Sequence, residues 1–163
     1  MTGDPIRLPI LAPISGTLVA LEQVPDPVFS QRMLGDGIAI DPTAGAVVAP
    51  AVGQIAALYP TGHALGLRTP GGCEILIHVG IDTSQLEGVF WPRVRQGETV
   101  SAGQPLIDVD WDRLRALARS PLVPVILTRL PAGRQVTAPL APGTPVRGGV
   151  DAILVVKPGR DAG

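Results

Sequence analysis

The chain has 163 residues, of which 45% are hydrophobic and 3% aromatic, so any folded core must be built mainly from aliphatic side chains. Its 13 basic and 14 acidic residues give a net charge of -1 and form no run of either sign, which argues against a nucleic-acid-binding protein. No segment approaches the roughly 18 apolar residues that a membrane-spanning helix needs, and we predict a cytoplasmic protein.

The amino terminus and the cysteine content support this prediction. Residues Met1–Pro5 lack the basic start and the apolar run of a secretion signal. Cys73 is the only cysteine, which excludes an intramolecular disulfide and a thiol-rich metal site. We expect it to be a buried structural thiol. We also expect a single, free-standing domain over residues 1–163, with a core over about residues 11–156.

Glycine and proline dominate the local structure. The 20 glycines and 18 prolines are spread along the chain, which excludes long helices over most of it. The short apolar segments between them predict an all-β fold, an antiparallel sandwich or barrel-sandwich with one or two short helices. Ala12–Leu21 repeats the pattern of Ala49–Leu58 (Ala-Pro, two residues, Gly, then a strand), and a weaker copy begins at Ala138. We interpret these copies as duplicated β-motifs that face each other, with chance repetition as the alternative.

Between the first two copies, Asp26–Met33 is predicted to add at most one helical turn. Pro25 and Pro27 interrupt this segment, because proline fixes its own backbone and cannot donate a backbone hydrogen bond.

The only two histidines lie in settings of small and polar residues, His63 after Thr61-Gly62 and His78 before Val79-Gly80. Imidazole is neutral and a good hydrogen-bond acceptor near neutral pH. These settings therefore point to a site centred on the two histidines. The alternatives are a histidine satisfied in the interior or an idle surface residue.

The segment Cys73–Val79 is predicted to be a strand because it is rich in β-branched residues and bounded by glycines. Strand alternation divides its side chains between two faces. One face is wholly apolar and is expected to lie in the core: Cys73, Ile75, Ile77 and Val79. The other carries Glu74, Leu76 and His78. His78 is therefore expected to point away from the core, just before a glycine that lets another backbone approach.

Asp110–Arg119 is the clearest helical segment. It contains no Gly or Pro and starts with a possible capping aspartate. Leu114, Leu117 and Ala118 are expected on one side at helical spacing, with the arginines largely elsewhere. We predict one short amphipathic helix packed on the sheet, with a solvated arginine face.

We compare three kinds of chemistry that a small β domain with two histidines could carry out. A hydrolytic zinc usually needs three protein ligands, and two histidines without a His-x-His or His-Glu-x-x-His pattern supply only two. A swinging-arm carrier needs a lysine at an exposed hairpin tip, whereas the only lysine, Lys157, lies near the carboxyl end. Phosphoryl transfer through a phosphohistidine needs a neutral imidazole with one nitrogen held and the other free, and donors for the phosphoryl oxygens.

The third chemistry fits the residues best. His78 would expose one nitrogen and donate its other N–H to a nearby backbone carbonyl. His63 would donate to the phosphoryl group, with the Thr61 hydroxyl selecting its tautomer. This scheme requires neither a cofactor nor a further ligand.

Several motifs follow one another in a characteristic order: Val24–Phe29, Gly35–Pro42, Val48–Pro50, Thr61–Ala64, His78–Thr83, Leu86–Gly88, Gln96–Val100 and the Asp110–Arg119 helix. Together they resemble the glucose-type IIA domain of the bacterial phosphoenolpyruvate-dependent sugar phosphotransferase system, over about residues 11–156.

This resemblance implies a β-sandwich that accepts a phosphoryl group from the histidine phosphocarrier protein and passes it to the cysteine of a IIB domain of a sugar permease. By position, His78 would be phosphorylated, His63 would be the second active-site histidine, and Thr61 would support His63. Asp82 would lie at the rim and attract a basic residue of the partner, with Gly80 as backbone support.

The docking surface is where the chain departs from the family. Relatives often have phenylalanines around the two histidines, whereas the neighbours here are Leu76 and Val79, with Phe29 and Tyr59 as the remaining aromatic contributors. A more aliphatic docking patch is therefore expected, and the sequence leaves the partner preference open. The membrane-binding amino-terminal segment of some relatives is absent, so we expect no direct membrane insertion.

Two alternatives stay open at this stage. One is a regulatory module of the same fold, whose phosphorylation state controls other proteins such as enzymes without onward transfer. The other concerns metal: we expect no intrinsic site, but a zinc ion could bridge His63, His78 and a carboxylate of a partner.

Overall fold

The computed structural model describes residues 7–159, in which strands dominate and helices are short. The strands are β1 (Leu8–Leu11), β2 (Gly16–Val19), β3 (Asp36–Pro42), β4 (Val47–Val48), β5 (Gly53–Leu58), β6 (Ala64–Arg68), β7 (Glu74–His78), β8 (Phe90–Pro92), β9 (Thr99–Val100), β10 (Pro105–Val109), β11 (Val123–Arg129), β12 (Arg134–Thr137), β13 (Pro145–Val146) and β14 (Ala152–Pro158). The helices are α1 (Pro27–Ser30) and α2 (Trp111–Leu117), and a 3₁₀ turn covers Leu21–Gln23. Within this part of the chain, neither helix has the length and hydrophobicity needed to cross a membrane.

The strands form three antiparallel sheets. The largest has eight strands in the order β13-β2-β3-β11-β7-β6-β5-β9, and two smaller sheets have the orders β1-β14-β12 and β4-β10-β8. Every strand pairing in these sheets is antiparallel. The all-β prediction is confirmed.

The large sheet also shows the predicted duplication. The two clear copies of the Ala-Pro pattern lead into β2 and β5, which occupy the second position from either end of the sheet. Both strands begin at a glycine whose missing side chain admits a neighbouring strand. A Cβ atom on Gly16 would lie 2.1 Å from the carbonyl oxygen of Asp41, and one on Gly53 would lie 2.5 Å from that of Arg68. The weaker third copy leads into the two-residue strand β13 at the sheet edge.

Strand β7 lies between β6 and β11 in this sheet and divides its side chains as predicted. The predicted core face, Cys73, Ile75, Ile77 and Val79, belongs to the main hydrophobic core. Cys73 is a buried free thiol, as expected. On the opposite face, Leu76 belongs to a second, smaller cluster, while His78 is half-buried.

Both helices start directly after a capping aspartate, which the sequence predicted for α2 but not for α1. The carboxylate of Asp26 accepts a hydrogen bond from the Val28 amide, and that of Asp110 accepts one from the Arg113 amide. One detail of α2 was wrong, because Leu117 is 51% exposed. The buried side of α2 is formed by Trp111, Leu114 and Ala118, since these residues fall within a narrower angle around the helix axis.

Candidate functional site

The two histidines meet at the end of the β6–β7 pair. Ala64, the first residue of β6, lies opposite His78, the last residue of β7, so His63 and His78 are brought side by side. The ring centroids are 5.0 Å apart and the ring planes are inclined by 76°. The carbonyl oxygen of His63 also accepts a hydrogen bond from the Val79 amide at 2.7 Å, which extends the ladder past His78.

The tautomer of His78 is determined by the backbone. Its Nδ1 atom lies 2.7 Å from the carbonyl oxygen of Gly80. Because a carbonyl oxygen can only accept a hydrogen bond, Nδ1 of the neutral ring carries the proton and Nε2 carries the lone pair. The geometry depends on glycine: Gly80 has φ of +79°, and a Cβ atom there would lie 2.7 Å from Cγ2 of Thr83.

The orientation of His63 is fixed by a hydrogen bond with Thr61. Its Nδ1 atom lies 2.6 Å from the Thr61 hydroxyl oxygen, and the residue is only 5% exposed. Gly62, between them, has φ of +79°. A Cβ atom on Gly62 would lie 2.8 Å from Cγ of Pro92, so only glycine allows the turn to approach β8 this closely.

Both imidazoles are uncharged near neutral pH. Burial, followed by the nearby charge of His78, lowers the pKa of His63 to about 4. Burial also lowers the pKa of His78, although the hydrogen bond to Gly80 and the charges of Asp26 and Asp82 act in the opposite direction. The site therefore contains two neutral imidazole rings near neutral pH.

Aromatic rings pack around the histidines. The Phe29 ring centroid lies 5.1 Å from that of His78, and the Tyr59 centroid lies 5.6 Å from that of His63. Phe90, on β8, lies 6.4 Å from His63 and was not predicted. Phe90 is distant from His63 in sequence and belongs to another sheet, so no local pattern in the sequence could predict this contact.

The predicted docking patch needs correction. Val79 is fully buried because strand alternation turns it into the core, and Phe29 is 4% exposed because it packs behind His78. Leu76 is 8% exposed, whereas Tyr59 is 42% exposed and can contact a partner. The exposed apolar surface near the site comes instead from Val28, Met33 and Leu34, at 36%, 67% and 43% exposure.

Asp82 is exposed beyond the end of β7 with φ of +56°, a conformation that aspartate tolerates better than most residues. Its Oδ2 atom lies 3.9 Å from Nη1 of Arg119 in a largely exposed ion pair. An arginine of the same chain thus already occupies part of the position where a basic partner residue was expected. Within residues 7–159, no group of three His, Cys, Asp or Glu side chains is arranged to hold a metal ion.

Comparison with known proteins gives consistent results. Residues 8–132 match the family model described as phosphoenolpyruvate-dependent sugar phosphotransferase system, EIIA 1. A glucose-specific EIIA component of Halalkalibacterium halodurans is 48% identical over 122 residues, which are 74% of this chain and 70% of that protein. An N-acetylglucosamine-specific EIICBA component of Escherichia coli is 47% identical over 122 residues, only 19% of its length. The solved structure of glucose permease IIA from Mycoplasma capricolum has a TM-score of 0.86 and 36% identity, and the match covers 95% of this chain and 99% of that one.

Proposed function

The chain belongs to the EIIA 1 family of the phosphoenolpyruvate-dependent sugar phosphotransferase system, and from this membership we propose that it carries a phosphoryl group on Nε2 of His78. It is a phosphoryl-carrying component of sugar transport. One observation supports the choice of atom more than any other: the Gly80 carbonyl holds the proton of His78 on Nδ1 and leaves Nε2 with its lone pair.

The first step is phosphoryl acceptance from the phosphohistidine of the histidine phosphocarrier protein. The Nε2 lone pair of His78 attacks phosphorus, the nitrogen–phosphorus bond of the donor breaks, and its electron pair returns to the donor imidazole. Nε2 needs no deprotonation, because it is the unprotonated nitrogen before the reaction. The Gly80 carbonyl then stabilises the Nδ1 proton while positive charge develops in the ring.

His63 is proposed to donate a hydrogen bond to the phosphoryl group. When the Thr61 hydroxyl donates to Nδ1 of His63, the neutral ring keeps its proton on Nε2. The 5.0 Å between the ring centroids leaves an oxygen of a phosphoryl group on His78 within reach of that N–H. Negative charge on the equatorial oxygens is then stabilised by a fixed donor, the main contribution a protein makes to phosphoryl transfer.

In the second step, a cysteine thiolate of a IIB domain attacks the phosphorus on His78. The bond from Nε2 to phosphorus breaks, and Nε2 regains its electron pair and the tautomer it had before the cycle. Both transfers require a shallow, open site, and His78 is half-buried rather than enclosed. We place these exchanges in the cytoplasm.

Mass spectrometry with phosphoenolpyruvate and the general phosphotransfer proteins tests this proposal. We expect an acid-labile gain of one phosphoryl group, about 80 mass units, in the chain and in a His63→Gln variant, but not in His78→Ala. Phosphorus–nitrogen coupling in NMR spectra of ring-labelled protein should assign the group to Nε2. A label that persists in His78→Ala, or a phosphoryl group on Nδ1, would overturn the proposal.

A further inference from the structure

A partly open cavity lies at the end of the β6–β7 hairpin opposite the histidines. Its volume is about 310 Å³, and it includes residues of the turn between the strands, among them Thr69, Pro70 and Cys73. Strand β7 runs from this turn to His78, a distance of about 15 Å at the usual rise per residue. The cavity shares no residue with the phosphoryl site.

The cavity wall is mainly apolar and comes from several separate parts of the chain. Leu8 of β1, Val52, Pro131 and Val156 of β14 contribute apolar surface. Val52 is 47% exposed, so the cavity has an apolar opening to solvent. The floor includes Cys73, which is 4% exposed. A small concave apolar site with a few polar groups is the usual form of a small-molecule binding site.

Two arginines, Arg7 and Arg134, complete the lining. The ion pairs found within residues 7–159 use other arginines. Burial raises the pKa of the Cys73 thiol, and the charge of Arg134 is among the influences that oppose this rise, so Arg134 acts on the cavity floor.

Further positive charge lies beside the cavity. An adjoining groove is lined by Arg68 and Arg129, and Glu74 pairs with Arg68 at 2.8 Å. Arg7, Arg129 and Arg134 therefore bring to this end of the molecule positive charge that none of the ion pairs within residues 7–159 neutralises, although the chain has a net charge of -1. A small anion would be attracted to it at long range.

We propose that this cavity binds a small amphipathic monocarboxylate, with its carboxylate on Arg7 and Arg134 and its apolar tail against Leu8, Val52 and Val156. Guanidinium groups match the planar geometry of a carboxylate, and the apolar wall accommodates a tail rather than a second charge. With about 30 Å³ for each heavy atom of a liquid, the volume holds at least ten non-hydrogen atoms. Octanoate, which has ten, is a suitable probe.

Methyl NMR titration of the full chain with octanoate tests the proposal. We expect saturable shifts of the Leu8, Val52 and Val156 methyl groups, with no comparable shift of Leu76 beside His78. Octanol, which lacks the charge, and inorganic phosphate, which lacks the tail, should each bind at least about tenfold more weakly.

Two variants and one control test whether octanoate binding depends on the charge of Arg134 and on the opening at Val52. Arg134→Gln should weaken octanoate binding about tenfold by removing a guanidinium. Val52→Asp should weaken it at least as much, because it places a like charge at the opening on a half-exposed residue that the fold tolerates. Arg113→Gln removes an exposed arginine of α2 and should leave binding unchanged. Absence of saturable shifts, shifts confined to the histidine end, or equal binding of octanol would each overturn the proposal.

Discussion

Acidification provides a quantitative test of the buried neutral His63. The pKa of His63 is about 4 in the folded chain, against 6.5 as its ordinary value. Between these two values the unfolded chain binds a proton at residue 63 that the folded chain does not. Above about pH 6.5, His63 therefore does not lower the free energy of unfolding. As the pH falls from there toward 4, the free energy of unfolding decreases progressively because of this residue.

The size of the effect follows from the same two values. Each pH unit between the folded and unfolded pKa corresponds to about 1.4 kcal/mol of unfolding free energy. The difference between 6.5 and about 4 therefore predicts a loss of about 3 kcal/mol on full acidification. This is a large share of the stability of a small domain, typically about 5–15 kcal/mol.

The assay compares urea unfolding of the wild type and His63→Gln at several pH values between about 7 and 4. Glutamine can still interact with the Thr61 hydroxyl but does not titrate. Carboxylates and His78 contribute to the acid dependence of both proteins, so the difference between the two curves reports mainly residue 63. We expect the variant to lose about 3 kcal/mol less than the wild type over this interval. Parallel curves would show that the His63 pKa is not depressed and would refute the reasoning.

Three further predictions concern transfer and folding. His63→Gln should accept a phosphoryl group but pass it on more slowly, by about tenfold or more in rapid-quench assays, and unchanged onward transfer would remove the role proposed for His63. Gly80→Ala should destabilise the chain by about 1–3 kcal/mol in urea unfolding, which is more than Gly97→Ala should. Both glycines have positive φ, but only at Gly80 would a Cβ atom clash, so equal losses of stability would contradict this prediction. Asp82→Asn should weaken docking of the phosphocarrier protein more at low salt than at high salt, and a salt-independent change would instead indicate disruption around Arg119.

Local sequence patterns determined much of this molecule. Alternation in Cys73–Val79 was sufficient to separate the side chains of the main core from the face of β7 that carries His78, because consecutive strand side chains must point to opposite sides. The Ala-Pro pattern marked β2 and β5, since a glycine is required where each strand passes close to a neighbouring carbonyl. Asp110 identified the start of α2, because a capping carboxylate accepts a hydrogen bond from an amide a few residues further on.

The tertiary structure decided what depends on residues distant in the chain. Packing of β8, from one of the smaller sheets, against the end of the large sheet places Phe90 beside His63. An isolated bridge between Ile81 and Ser120 brings Arg119 to Asp82, and no local pattern specifies either contact. Packing also buries Phe29, which the family resemblance suggested for the docking surface. The cavity at the far end of the β6–β7 hairpin arises only where β1, β12 and β14 meet that turn. A side chain's orientation along one strand is a property of the local backbone, whereas its neighbours across strands depend on how the whole chain packs.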